Sequence, residues 1–342
     1  LKRDGEGFHR PPQLRSGFSF DGSMPMTLPL RTFVSIVLLV FCVEHSAYCG
    51  GRTATNDVNG DSVIRARAGT SEIVITTTSR LAGAIHSLTW GGHEFINSAD
   101  HGRQLQTAWN ADAGITPIQN ETFNPTEAGS RDDGAGPVSS SKLLELHAGE
   151  NVLTTRSQPA FWLKPGETSG GKPARNKTIV SNHLLSKRVQ IGYRGLPHAI
   201  DYQVTVTIPA DEHNTFCAIE ALTGYMPPDF DKFWVYDTKT GELHPLDDGP
   251  GEQGLPIVFS TEDGAYAMGA YSPGVDASRN EVGPRYGRFK FKVEQVVKWN
   301  CVYRIKNASG LGGDYGYEVL LAVGTLEDVK STLAGLMGVV KN

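Results

Sequence analysis

From Ser62 onward the chain keeps returning to one pattern. Short runs alternate apolar and polar residues with a period of two, and Gly, Pro, Asn and Asp cut the runs apart. A strand sends successive side chains to opposite faces, so this alternation suits a sheet with one face in a core; an amphipathic helix needs a different period. Residues 63–68 and 72–78 open the series. Residues 84–90, then Gly91-Gly92, then residues 93–96 read as a hairpin, because paired glycines suit tight turns. Residues 142–147 and 151–156 form a second pair around Ala148-Gly149-Glu150. Long strands are expected over 179–193, 199–208 and 216–225, with Tyr202, Val204, Val206 and Ile208 on one face. Shorter runs follow at 233–237, 256–260, 266–271, 288–297, 300–306 and 317–323.

Only the tail follows a helical period. Thr325 offers an N-cap, Glu327 and Asp328 lie in the first turn, and Leu326, Val329, Leu333, Leu336 and Met337 form one apolar stripe. More than a dozen strands, one late helix, no break in composition and no short-period repeat predict an all-β fold. The expected architecture is one large antiparallel β-sandwich over residues 62–342.

The front of the chain has a different character. Residues 33–43 (FVSIVLLVFCV) are an apolar run of about eleven residues, where a spanning helix needs about twenty. Arg31 precedes the run, Met24 or Met26 could start it, and small residues near Ala47 could end it. This is the layout of a secretory signal peptide over 24–49, predicting an exported protein without stable membrane insertion after cleavage. A short membrane anchor or a buried strand is the alternative. Residues 1–23 read as a disordered extension or a gene-start error, and residues 50–61 as a linker.

Charge and motifs exclude several classes. Lys and Arg number 32 against 37 Asp and Glu, with no basic block after the apolar run, so nucleic acid is not an expected partner. No GxSxG, P-loop, HExxH or GxGxxG-helix pattern is present, which argues against serine hydrolases, NTPases, zincins and dinucleotide enzymes; no cofactor is expected. Asp57-Val58-Asn59-Gly60-Asp61 begins like a calcium loop, but Ser62 and Ala68 stand where the turn glycine and the bidentate carboxylate belong. Without CxxC or a Cys/His cluster, no structural zinc site is expected. Cys217 and Cys301 lie in strand-like runs and read equally as one disulfide or as two buried thiols.

Ala82-Gly83-Ala84-Ile85-His86-Ser87-Leu88, followed by Gly92-His93-Glu94-Phe95-Ile96, resembles the opening strands of galactose mutarotase-like proteins. Gly102-Arg103 resembles the Gly-Arg that begins their sugar-facing segment. The resemblance covers about residues 62–110 by motif. It implies a supersandwich of two large antiparallel sheets whose concave face binds carbohydrate. The chain departs from the aldose epimerases of that group: Asn182-His183 is the nearest match to their catalytic histidine loop, and no glycine-flanked histidine follows.

The stretch from His101 to Asp133 concentrates candidate site residues. Gln104 and Gln106 would share a strand face, with Arg103 on the other, and planar bidentate groups suit paired sugar hydroxyls. Trp109 could stack on an apolar sugar face. In the loop over 124–133, Glu127 is the lead acid/base candidate, Arg131 a charge stabiliser, and Asp133 a second carboxylate. Glu252, in a tight acidic loop, is another partner carboxylate, and Tyr225 and Trp234 are candidate sugar platforms. The alternatives are a polar edge strand, a salt-bridged surface loop and core aromatics. The expected function is exported glycan cleavage, as a glycoside hydrolase or by β-elimination as a polysaccharide lyase. A non-catalytic carbohydrate-binding domain, an epimerase-like isomerase and a structural domain without ligand are the alternatives.

Overall fold

The computed structural model describes residues 58–97, 104–133, 136–274 and 281–340. The expected extension, the signal segment, most of the linker and Arg103 lie outside the described residues. No described helix is long and apolar enough to cross a membrane.

The fold is an all-β sandwich. A nine-stranded and a seven-stranded antiparallel sheet share one apolar core, and a four-stranded meander, Ser62–Ala68 to His93–Glu94, packs into the same core. Strands Leu184–Tyr193, Leu196–Ile208 and Gly313–Gly324 form the middle of the nine-stranded sheet, turning Val189, Val204 and Leu321 inward. Strands Gln106–Ala111, Phe216–Met226 and Val296–Lys306 form the middle of the seven-stranded sheet, turning Trp109, Ile219 and Trp299 inward.

The Gly91-Gly92 hairpin forms as its sequence demands. Both glycines have positive φ, at 61° and 77°, and Trp90 pairs with His93 across them. The C-terminal helix Leu326–Val340 also forms. Thr325 Oγ1 accepts from Asp328 N at 3.1 Å, while Asp328 Oδ2 accepts from Thr325 N at 3.0 Å, a reciprocal cap. Val329, Leu333 and Leu336 then cover the outer face of the nine-stranded sheet over Ala199, Val258 and Leu320.

Two local expectations change, and one open alternative is decided. The strand expected over 179–193 begins only at Leu184, because Ser181 is tied to the Pro159 carbonyl through both its backbone N–H and its hydroxyl. The run expected over 288–297 contains a hairpin turn between Glu281–Phe291 and Val296–Lys306, with Gln295 at φ 55°. The cysteines form no disulfide: Cys217 stands opposite Ile305 and Cys301 opposite Leu222, so the two thiols are well separated along the ladder.

Candidate functional site

The outer face of the seven-stranded sheet is hollowed into a cleft of about 750 Å³. Its floor comes from the three middle strands. Gln106 and Asn110 face it from Gln106–Ala111, while Lys298, Asn300 and Arg304 face it from Val296–Lys306. Glu220 and Tyr225 face it from the strand between them. One wall carries Glu121, Asn124 and Trp162; the other carries Glu252 and Phe289.

Glu220 and Tyr225 are five positions apart, which in a regular strand puts them on opposite faces. A β-bulge reverses the parity. Glu220 pairs with Ala108 and Thr223 with Gln106, so Ala221 and Leu222 together oppose the single residue Thr107. Ala221 and Leu222 are both buried, and the outward set changes from Ala218 and Glu220 to Thr223 and Tyr225.

The floor is bonded across strands. Glu220 Oε1 accepts from Lys298 Nζ at 3.2 Å and from Asn300 Nδ2 at 2.8 Å. Lys298 Nζ also lies 5.4 Å from the centroid of the Tyr225 ring. Burial alone would lower the Lys298 ammonium, but the Glu220 carboxylate and Tyr225 outweigh it and hold its pKa above the ordinary lysine value. At the rim, Glu252 bridges Arg285 at 3.3 Å and Arg304 at 2.6 Å. Its partial burial favours the neutral acid, yet the two guanidinium groups prevail and keep its pKa below the ordinary glutamate value.

Of the residues expected from sequence, Gln106, Tyr225 and Glu252 meet in this cleft. Gln106 Oε1 also accepts from Ala128 N at 2.8 Å, joining the floor to the loop that follows Thr126. The other expected residues lie elsewhere. Gln104 precedes the strand and is buried beside His86, so it does not share the cleft with Gln106. Trp109 has no exposed surface and meets the His183 ring edge-on at 5.2 Å, so it is a core aromatic with no face free for a sugar. Trp234 belongs to the nine-stranded sheet, where its indole N–H donates to Ser260 Oγ at 3.1 Å.

The loop carboxylates have structural partners. Glu127 is 1 % exposed; Lys187 reaches its Oε1, and its Oε2 accepts from Thr107 N at 3.1 Å. It therefore joins the two sheets internally and does not border the cleft. Asp133 Oδ2 accepts from Ser130 N at 2.7 Å and Ser140 N at 2.6 Å, tying its own loop. Arg131 lies 3.6 Å from Glu167 on the outside of that loop.

Sequence reasoning passed over Glu220, Lys298, Asn300 and Arg304. Their signal was present: Lys298 and Asn300 alternate with Trp299 and Cys301, marking a polar face on an otherwise apolar strand. A larger trough of about 940 Å³ lies on the outer face of the nine-stranded sheet. It is lined by regularly alternating polar side chains such as the exposed Glu145–Arg156 pair, the ordinary solvated face of an antiparallel sheet.

No family model matches the chain, and no curated protein matches it. Solved structures that align with part of this chain include an α-mannosidase from Enterococcus faecalis V583, at 8% identity and TM-score 0.48, covering 81% of this chain and 31% of that one. They also include a GH36 α-galactosidase from Geobacillus stearothermophilus, at 9% identity and TM-score 0.43, covering 79% of this chain and 42% of that one. A heparan sulfate lyase mutant from Pedobacter heparinus gives 10% identity and TM-score 0.39, covering 78% and 35%. The chain thus spans less than half the length of each of these three proteins. At this level of similarity the likeness bears on neither chemistry nor substrate.

Proposed function

We propose that this is an exported carbohydrate-active protein of galactose mutarotase-like supersandwich type, which binds a glycan in the cleft and cleaves it by β-elimination. The carrying observation is the convergence of Gln106, Glu220, Tyr225, Lys298 and Asn300 on one open floor. Amide and charged groups from adjacent strands can pair with sugar hydroxyls, and the Phe289 ring, more exposed than Tyr225 or Trp162, offers apolar surface for a sugar face.

The charge arrangement favours elimination over hydrolysis. Hydrolysis by paired carboxyl groups requires one of them to stay protonated as the acid. Glu252, the carboxylate at the rim, is held below its ordinary pKa by Arg304 and Arg285. Elimination needs a base beside a sugar C–H and donors for the negative charge that develops. Tyr225 fits the first role: it would accept the C–H proton as the electron pair forms the new C=C bond and the glycosidic C–O bond breaks, and its phenol O–H would return that proton to the departing oxygen; Lys298 with Asn300 fits the second.

The test is a polysaccharide screen on the purified protein. Products that absorb in the near ultraviolet, lost in Tyr225→Phe, would support elimination. New reducing ends without that absorbance would replace it with hydrolysis. Retention on a polysaccharide column without degradation would make the cleft a binding site only.

A further inference from the structure

The proposed chemistry needs Tyr225 on the same face as Glu220, which accepts from Lys298 and Asn300, and the bulge puts the two there. We infer that the buried set Thr107, Tyr202, Glu127 and Lys187 acts as the positioning device that locks this bulge, and so sets the cleft from within the core. This rests on the glycan-binding reading of the cleft only for its consequence in activity; the locking itself is a statement about the fold.

Thr107 is the residue that faces the bulge. Its hydroxyl donates to the Ala221 carbonyl at 2.9 Å, within the irregular stretch of the pairing. The same oxygen, Thr107 Oγ1, is also hydrogen-bonded to Tyr202 OH at 2.9 Å. Thr107 is held on both backbone sides by Glu127: its N–H donates to Glu127 Oε2 at 3.1 Å, and its carbonyl accepts from Glu127 N at 3.1 Å. Lys187, on the facing sheet, reaches the other carboxyl oxygen. All four residues are buried, with 3 % exposure at most.

The order of contacts is therefore Lys187, Glu127, Thr107, Ala221, and it ends at the residue next to Glu220. A single-residue slip at Ala221 would restore regular alternation and turn either Glu220 or Tyr225 into the core. On the cleft side, Glu127 is followed by Ala128, whose N–H orients Gln106. One interior cluster thus constrains three floor side chains while touching no ligand.

The experiment compares wild type with Thr107→Val, which keeps the shape and removes the hydroxyl, and Thr107→Ser, which restores it. Amide hydrogen exchange is read across the sheet by mass spectrometry, alongside cleavage of whichever polysaccharide the wild type degrades in the screen. In Thr107→Val, exchange over residues 219–225 is expected to accelerate at least tenfold while the rest of the sheet is unchanged. Cleavage is expected to fall at least tenfold, and Thr107→Ser should restore both. Should Thr107→Val fail to fold, Tyr202→Phe removes the hydroxyl that orients Thr107 and is read the same way. Wild-type exchange over residues 219–225 would overturn the inference, as would equal acceleration across the whole sheet. If the wild type cleaves nothing, the eliminative reading fails while the exchange result still decides the lock.

Discussion

Lys298 Nζ lies 3.2 Å from Glu220 Oε1, and the two come from neighbouring strands of one sheet face. The same Lys298 ammonium also stands over the Tyr225 ring, 5.4 Å from its centroid. Replacing Lys298 by Met should leave the fold intact and lower glycan turnover by about 10²-fold, the usual cost of losing one preorganised electrostatic group. Steady-state rates on the polysaccharide found by screening provide the check; an unchanged rate would exclude Lys298 from the chemistry.

The Glu127–Lys187 pair predicts an asymmetric stability pattern. Lys187→Met should destabilise the protein by about 3–5 kcal/mol, because it leaves a buried carboxylate without its cation. Adding Glu127→Gln should recover much of that loss, since the amide oxygen can still accept from Thr107 N without a charge. Urea unfolding of the two variants distinguishes this from simple additivity.

Asp201 gives a stability change with a definite pH window. Burial and the neighbouring Glu318 carboxylate raise its pKa to about 6, against the partial offset of Arg188 3.3 Å away. The folded state therefore holds this proton more tightly than the unfolded chain. The associated stabilisation is full below about pH 4 and is lost as the pH rises through about 6, a swing of at most about 3 kcal/mol. Asp201→Asn should melt higher than wild type at pH 8 and gain nothing at pH 4. Thermal melts at the two pH values test the sign.

Gly224 packs where no side chain fits. A Cβ there would stand 2.4 Å from the Trp299 indole nitrogen. Gly224→Ala should cost about 1–3 kcal/mol through overpacking, with a shift in tryptophan fluorescence as the indole is displaced.

Cys217 and Cys301 should stay unlabelled in the native protein, since both are buried and burial raises the pKa of both thiols. Alkylation mapped by mass spectrometry should reach these two positions only after unfolding. A native disulfide between them would contradict the register.

The period-two pattern made the strands and the sandwich legible, and the capped apolar stripe made the helix legible. Which face each residue occupied was legible only in part. Gln106 and Trp109 are an odd number of positions apart, so a regular strand could never have placed both toward one ligand; the structure puts Gln106 in the cleft and Trp109 in the core. Glu127 read as a rim residue because turn-forming neighbours surround it. Its true partner, Lys187, lies sixty positions on, on a strand whose other inward residues are Leu185, Val189 and Ile191. A charge on that apolar face was the available clue to a buried pair. Glu220 and Tyr225 could not be joined from the sequence, because a bulge is a property of two paired strands and no single run discloses it.

The three floor strands are far apart along the chain. Thr223 pairs with Gln106 on one side and with Asn300 on the other. During synthesis the middle strand would emerge with one neighbour already made and the other still to come. Until residue 306 is available, Phe216–Met226 would present an open hydrogen-bonding edge and an uncovered apolar face. Pairings between such distant segments close slowly and leave intermediates open to association. The cleft would therefore be among the last parts of the nascent protein to exist, and chains stalled before Val296 should be prone to aggregate.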